Sequence, residues 1–99
     1  MDQRNVLNIA KEYAAAVRKI MDTTSIFLYG SYAKGTATKD SDIDIAVVVK
    51  QIPGDYLDTV ASLWKLTRSI SHEIEPVLLS ADDAETGFLE TIQRTGIAV

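Results

Sequence analysis

Cysteine is absent from this 99-residue chain. Neither a disulfide nor a thiolate metal site can form, and the absence fits a reducing compartment, so a cytoplasmic location is expected. No apolar run approaches the roughly 20 residues of a membrane span. The opening Met1-Asp-Gln-Arg-Asn5 does not lead into the apolar stretch of a signal peptide. There is no internal repeat, low-complexity tract or linker. Cationic residues are outnumbered, 10 Lys and Arg against 14 Asp and Glu, and the net charge of −4 disfavours a protein that coats DNA or RNA. What remains is an ordinary globular composition, 46% apolar and 24% charged. It is expected to fold as one small domain over residues 1–99 with a modest core.

The chain alternates helical and extended signals. Val6, Ala10, Tyr13, Ala14, Val17, Ile20 and Met21 recur with a period near 3.6, which predicts a helix over about residues 5–21. Lys11, Arg18 and Lys19 fall largely outside that stripe. Ser25-Ile-Phe-Leu-Tyr29 predicts a short buried strand that Gly30 ends. Ser31 to Lys34 suits a single helical turn, followed by a loop of small polar residues. Asp42 to Val49 alternates acid with apolar residues and then turns wholly apolar, as a central strand does. Pro53-Gly54 marks a loop. Tyr56 to Ser71 predicts a second helix, with Leu57, Val60, Ala61, Leu63, Trp64, Leu66 and Ile70 on a wide buried face. His72 to Ser80 is a third strand, placed at an edge or begun irregularly because Pro76 lacks a ladder donor. Asp82 is positioned to cap a last helix from about Ala84 to Thr95, with Phe88, Leu89 and Ile92 inward and Gly96 at its end. Ile97-Ala-Val99 is expected to add a short strand or a contact surface. This order predicts an α+β domain, an α/β-type mixed sheet with helices packed mainly on one face.

The chemistry concentrates between Gly30 and Val49. Asp40, Asp42 and Asp44 occupy every second position, and residues two apart in a strand point to one face. A row of acids on one face repels itself and calls for a cation. Upstream, Gly30-Ser31 offers a tight turn, free backbone N–H groups and a hydroxyl at a helix start, which suits a phosphate. An anion cradle beside a cation site is the equipment for metal-assisted phosphoryl or nucleotidyl transfer. Competing readings fail on spacing. An EF-hand begun at Asp40 would need Gly at Ile45 and an acid at Gln51, and no Gly-Lys-Ser/Thr follows the spacing of a P-loop. The single histidine, His72, and Trp64 are expected to be structural, Trp64 in the core. Tyr29 and Tyr32 flank the Gly-Ser turn, and Tyr29 is expected to pack. Asp82 and Asp83 suit a helix cap rather than a site.

Gly30-Ser31, ten residues, then Asp42-Ile-Asp44 resembles the signature of the polymerase-beta-type nucleotidyltransferase superfamily. At this length the chain looks like the minimal nucleotidyltransferases of prokaryotes, with Ala33, Lys34, Gly35, Thr36 and Asp40-Ser-Asp42 also matching. The resemblance runs from the first helix to Ile92-Gln-Arg-Thr-Gly96. It implies a polymerase-beta-like fold with a small mixed sheet, and two Mg²⁺ ions held by Asp42 and Asp44. Ser31 and nearby backbone N–H groups would hold the β and γ phosphates of a nucleoside triphosphate, with Gly30 permitting close approach. Lys34 is a candidate for added charge there. The family carries a third carboxylate on a following strand, directed at the metals, which helps deprotonate the attacking hydroxyl. Glu73 and Glu75 are the candidates; Glu75 is favoured because it sits between apolar Ile74 and the Pro76-Val77 stretch.

The resemblance implies a Mg²⁺-dependent enzyme moving a nucleoside monophosphate, AMP from ATP above all, to an acceptor hydroxyl. A chain this short shows no separate acceptor-binding module, which suggests a partner protein as acceptor. Minimal members are typically paired, as antitoxins, with a HEPN-domain ribonuclease toxin and adenylylate a toxin tyrosine. The alternative from a different class is a binding module that neutralises its partner by contact alone. A nucleotidyltransferase for antibiotics or tRNA is disfavoured by charge and size. Homo- or hetero-oligomers are both compatible with the sequence.

Overall fold

The computed structural model describes residues 3–38, 40–81 and 87–99, with only the backbone of Gln3. In chain order the elements are α1 (Gln3–Ile20), β1 (Ser25–Tyr29), α2 (Ser31–Lys34), β2 (Ile43–Val49), α3 (Tyr56–Thr67), β3 (Ile74–Ser80), α4 (Phe88–Thr95) and β4 (Ile97–Ala98). The four strands form one mixed sheet in the order β3-β2-β1-β4. β1 runs antiparallel to β2 and β4, whereas β2 and β3 run parallel, joined by the α3 crossover.

β2 is central because its sequence can be buried on both faces: from Ile45 to Val49 every residue is buried. Ile43, Ile45, Val47 and Val49 face one way and join Ile26, Leu28, Ile74 and Leu78 in the main core. Against that face lie Val6, Ala10, Tyr13, Ala14 and Val17 of α1, all fully buried, together with Leu63 of α3. The two long helices thus cover one face, as the sequence predicts. The opposite face alternates with it and presents Phe27, Tyr29, Asp44, Ala46 and Glu75. Part of this second face is covered by α4. Leu89 and Ile92 are buried there, and the Phe88 ring stands edge-on to Tyr29 with centroids 5.7 Å apart.

Pro76 lies on β3, one of the two edge strands of the described sheet. Ile43 N–H donates to the Glu73 carbonyl and Ala81 N–H to the Val49 carbonyl, both at 2.8 Å. Odd-numbered residues of β3 therefore point their polar backbone groups toward β2. The nitrogen of Pro76 faces away from β2, so the proline removes no ladder bond and blunts the open edge.

Several expectations need correction. Trp64 is 44% exposed and Leu57 72%, so neither is core. Both lie on the flank of α3 turned away from Leu63 and Thr67, which are buried; the apolar face is narrower than composition suggests. Phe88 is 40% exposed rather than inward. α3 ends at Thr67 rather than Ser71, and β3 starts at Ile74, leaving His72 and Glu73 in the preceding turn. The predicted Asp82 cap and the first turn of the last helix lie outside the described residues. Sequence reading also missed the cap of α3, where the Asp55 side chain accepts from Asp58 N–H at 3.0 Å.

Tyr13 ties the two long helices together. Its buried hydroxyl donates to the Leu63 carbonyl at 2.7 Å, and burial raises its pKa well above the ordinary phenol value. Tyr13→Phe should cost about 1 kcal/mol and lower Tm by roughly 4–8 °C in a thermal melt at pH 7. Because the folded phenol holds its proton more tightly than the unfolded one, its contribution is complete below about pH 10 and lost as pH rises further. The variant should accordingly lose less stability than wild type between pH 9 and 11.

Candidate active site

Two chain segments and one strand end meet at the edge of the second sheet face. Tyr29 stands opposite Asp44 across the β1–β2 ladder, and Asp44 stands beside Glu75 across the β2–β3 ladder. Directly after Tyr29, Gly30 turns the chain with φ 75° and ψ −149°, a conformation open essentially to glycine. A methyl group on its α-carbon would overlap the Asp44 Oδ2 atom, and the Asp44 Cγ would be only 3.2 Å away. The turn and the carboxylate are therefore in contact, not merely in the same region. The backbone of Gly30 can pass the acid because it has no side chain.

From Gly30 the chain enters α2, a single turn. Lys34 N–H donates to the Gly30 carbonyl at 3.1 Å, and Gly35 closes the turn in the left-handed conformation. Gly30 stands at the N-cap position and offers no side-chain acceptor to the first N–H groups of the turn. Ser31 is half-buried at its head, while Lys34 is exposed at its far end. The return loop is pinned by Thr38 and Ser41: Thr38 N–H donates to Ser41 Oγ at 2.9 Å, and Ser41 N–H to the Thr38 carbonyl at 3.1 Å. Asp40 belongs to this turn. It precedes the strand, so the expected row of three acids on one strand is instead Asp42 just ahead of β2 and Asp44 within it, with Glu75 supplied by β3.

The acids feel one another. Partial burial and then the charge of Asp42 raise the Asp44 pKa. Glu75 is exposed, but loss of hydration first, then hydrogen bonding with the Asp42 carboxyl and the charges of Asp42 and Asp44, raise its pKa as well. No lysine or arginine among the described residues offsets these shifts. The Tyr29 phenol is pushed up to about 12, by burial first and then by Asp44 and Glu75. Sequence reading expected Tyr29 to pack, and it does, against Phe88. Its place in the acidic row was missed, because only the strand register sets it opposite Asp44. Of the two candidate third acids, Glu75 is the one in β3 beside Asp44; Glu73 lies in the turn before it.

Asp42, Asp44 and Glu75 offer only oxygen donors, the set that suits a hard divalent cation. As placed, no group of three or more acidic, histidine or cysteine side chains among the described residues is arranged to hold a metal ion. The chemistry of the donors fits Mg²⁺ while the side chains stand open. A cleft of about 780 Å³ lies elsewhere, between the end of α1 and α3, lined by Ile20, Met21, Pro53 and Leu66. It contains none of these acids. No described helix is long and apolar enough to cross a membrane.

Two outcomes follow from this geometry. Gly30→Ala should cost about 1–3 kcal/mol from backbone strain alone, and should displace Asp44; a fall in Tm checks the first part. Asp44→Asn, by contrast, should melt at the same temperature as metal-free wild type or slightly above it at pH 7. The folded state binds protons at Asp44 and Glu75 more tightly than the unfolded chain does, so their ionisation costs stability as pH rises above the ordinary carboxylate range. A large loss of Tm in Asp44→Asn would show that this carboxylate supports the fold.

Comparisons with known proteins agree with the geometry. Residues 6–99 match the family model described as Polymerase beta, Nucleotidyltransferase. MJ1305 of Methanocaldococcus jannaschii, a candidate protein adenylyltransferase, is 38% identical over 89 residues, which cover 84% of this chain. The chain spans 60% of that relative's length. The protein adenylyltransferase MntA of Shewanella oneidensis is 40% identical over 50 residues, covering 50% of this chain and 32% of MntA. Among solved structures, a candidate nucleotidyltransferase from Sulfolobus solfataricus superposes with TM-score 0.69 at 23% identity, covering 97% of this chain and 80% of its own. A toxin–antitoxin complex with AMP-PNP gives 0.60 at 23% identity, covering 99% and 72%. With a glycine turn against a strand carboxylate, a β-α-β crossover supplying a second acid, and a family match over nearly the whole chain, this protein belongs to the polymerase beta nucleotidyltransferase family.

Proposed function

We propose that residues 1–99 act as a single minimal domain that transfers AMP from ATP to a hydroxyl of a partner protein, in the cytoplasm, and that this partner is a HEPN-domain toxin which the modification silences. The observation that carries the reading is the contact between the Gly30 turn and the Asp44 carboxylate, which supports a phosphate-binding turn beside a cation-binding acid. The relatives named as protein adenylyltransferases, and a fold shared with a toxin–antitoxin complex holding AMP-PNP, support the choice of nucleotide and acceptor.

In this reading Ser31 and the first N–H groups of α2 bind the terminal phosphates, and Gly30 lets them approach. Lys34 is exposed and adds only long-range charge from the far end of the turn. Asp42, Asp44 and Glu75 are the residues that would hold Mg²⁺, which when bound supplies neutralisation of the charge on attacking and leaving oxygens. The acceptor oxygen forms a bond to the α-phosphorus as the bond to the β-phosphate oxygen breaks, and pyrophosphate leaves. Glu75, exposed and with a raised pKa, takes the hydroxyl proton at its carboxylate. Excluding water falls to the partner surface, since the acids stand at the open end of the sheet.

A second reading has one observation in its favour. The three carboxylates are not drawn together into a ready metal cage, as in a module that works by contact alone. Incubation with α-labelled ATP, Mg²⁺ and the product of the adjacent gene separates the two. The enzyme reading expects label on the partner, lost in Asp42→Asn and Asp44→Asn. Unlabelled partner, neutralised equally by wild type and both variants, would establish the contact mechanism instead.

A further inference from the structure

Five large apolar side chains are markedly exposed among the described residues: Ile20, Tyr56, Leu57, Trp64 and Phe88. The first four belong to α1 and α3, on the other side of the sheet. Phe88 alone is next to the carboxylate face. It opens α4, whose Leu89 and Ile92 are buried and fix the helix on the sheet. Its ring meets Tyr29 edge-on at 5.7 Å and 84°, the geometry in which a ring edge lies against a ring face. Tyr29 is paired with Asp44 and is followed at once by Gly30.

We infer that Phe88, braced by Tyr29, is the platform on which the nucleobase of the bound nucleotide stacks. The inference rests on the nucleotide reading of the site. Paired side chains across an antiparallel ladder stand about 5 Å apart. The ring pair therefore stands on the sheet face that carries Asp44, on the strand residue that faces it. A nucleotide whose terminal phosphates lie on the Gly30-Ser31 turn is tethered at one end, and Tyr29 leads directly into that turn. The tether is what favours the base over an acceptor side chain as the occupant of the ring. Stacking on a phenyl ring tolerates any base because every base has a π-face, so Phe88 supplies affinity for the nucleoside and not the choice of base.

Calorimetric titration with Mg²⁺–ATP and, separately, Mg²⁺–tripolyphosphate tests this, since the second ligand keeps the phosphates and lacks the nucleoside. Phe88→Ala and Phe88→Leu should weaken ATP binding roughly tenfold or more and leave tripolyphosphate unchanged, whereas Phe88→Tyr should retain both. Leucine preserves apolar packing against Tyr29, so its loss of affinity isolates the π-face from folding. ATP binding unchanged in Phe88→Ala and Phe88→Leu overturns the inference, as does an equal loss for both ligands, which would make Phe88 a support for the turn. If wild type binds neither ligand, the nucleotide reading fails with it.

Discussion

Negative charge without a partner is the constraint around which this small fold is arranged. Asp44 sits part-buried on the central strand, beside Asp42 and across from Glu75, and no cation among the described residues offsets them. Each acid makes ionisation of the next harder, and burial adds to the cost. A folded domain of this size has only about 5–15 kcal/mol to spare, so a cluster of this kind is tolerated only because the rest of the sheet is well covered. The apolar run of β2 from Ile45 to Val49 and the five fully buried residues of α1 provide that cover. The core thus makes room at one end of the sheet for a set of groups that do not stabilise it.

The Gly30 turn is the structural counterpart of the same strain. The chain leaves β1 hard against the Asp44 carboxylate, a route that only glycine can take. Backbone N–H groups at the head of α2 are thereby brought beside the acids. Positive partial charge from the turn and negative charge from the strand lie side by side without neutralising each other. In the proposed reading a polyphosphate and its cations complete both at once, which favours this end of the sheet over the cleft between α1 and α3.

Much of this was legible in the sequence because it is local. The period of α1, the extent of β1, the single turn of α2 and the apolar run of β2 follow from residue types alone, and the structure reproduces them with shifts of one or two residues. The edge position of β3 was likewise readable from Pro76. What the sequence concealed is what depends on register and on which side of a helix finds a neighbour. Trp64 and Leu57 have core chemistry, but the sheet lies under Leu63 and Thr67 instead. Asp40 shares the every-second-residue spacing of Asp42 and Asp44, yet the strand starts only at Ile43, so the Thr38–Ser41 turn takes it out of the row. Tyr29 joins the acids only through its pairing with Asp44, and Glu75, which the sequence already favoured over Glu73, stands beside Asp44 through the β2–β3 ladder. Neither pairing can be deduced from composition.

The most direct test is thermal melting with and without Mg²⁺, in the absence of nucleotide, for wild type and for the Asp42→Asn, Asp44→Asn double variant. If the acids lack only a cation to offset their charge, Mg²⁺ at millimolar concentration raises Tm of the wild type and leaves the double variant unmoved, since a ligand stabilises only the form that binds it. Equal shifts in both proteins, or none in the wild type, would contradict the account.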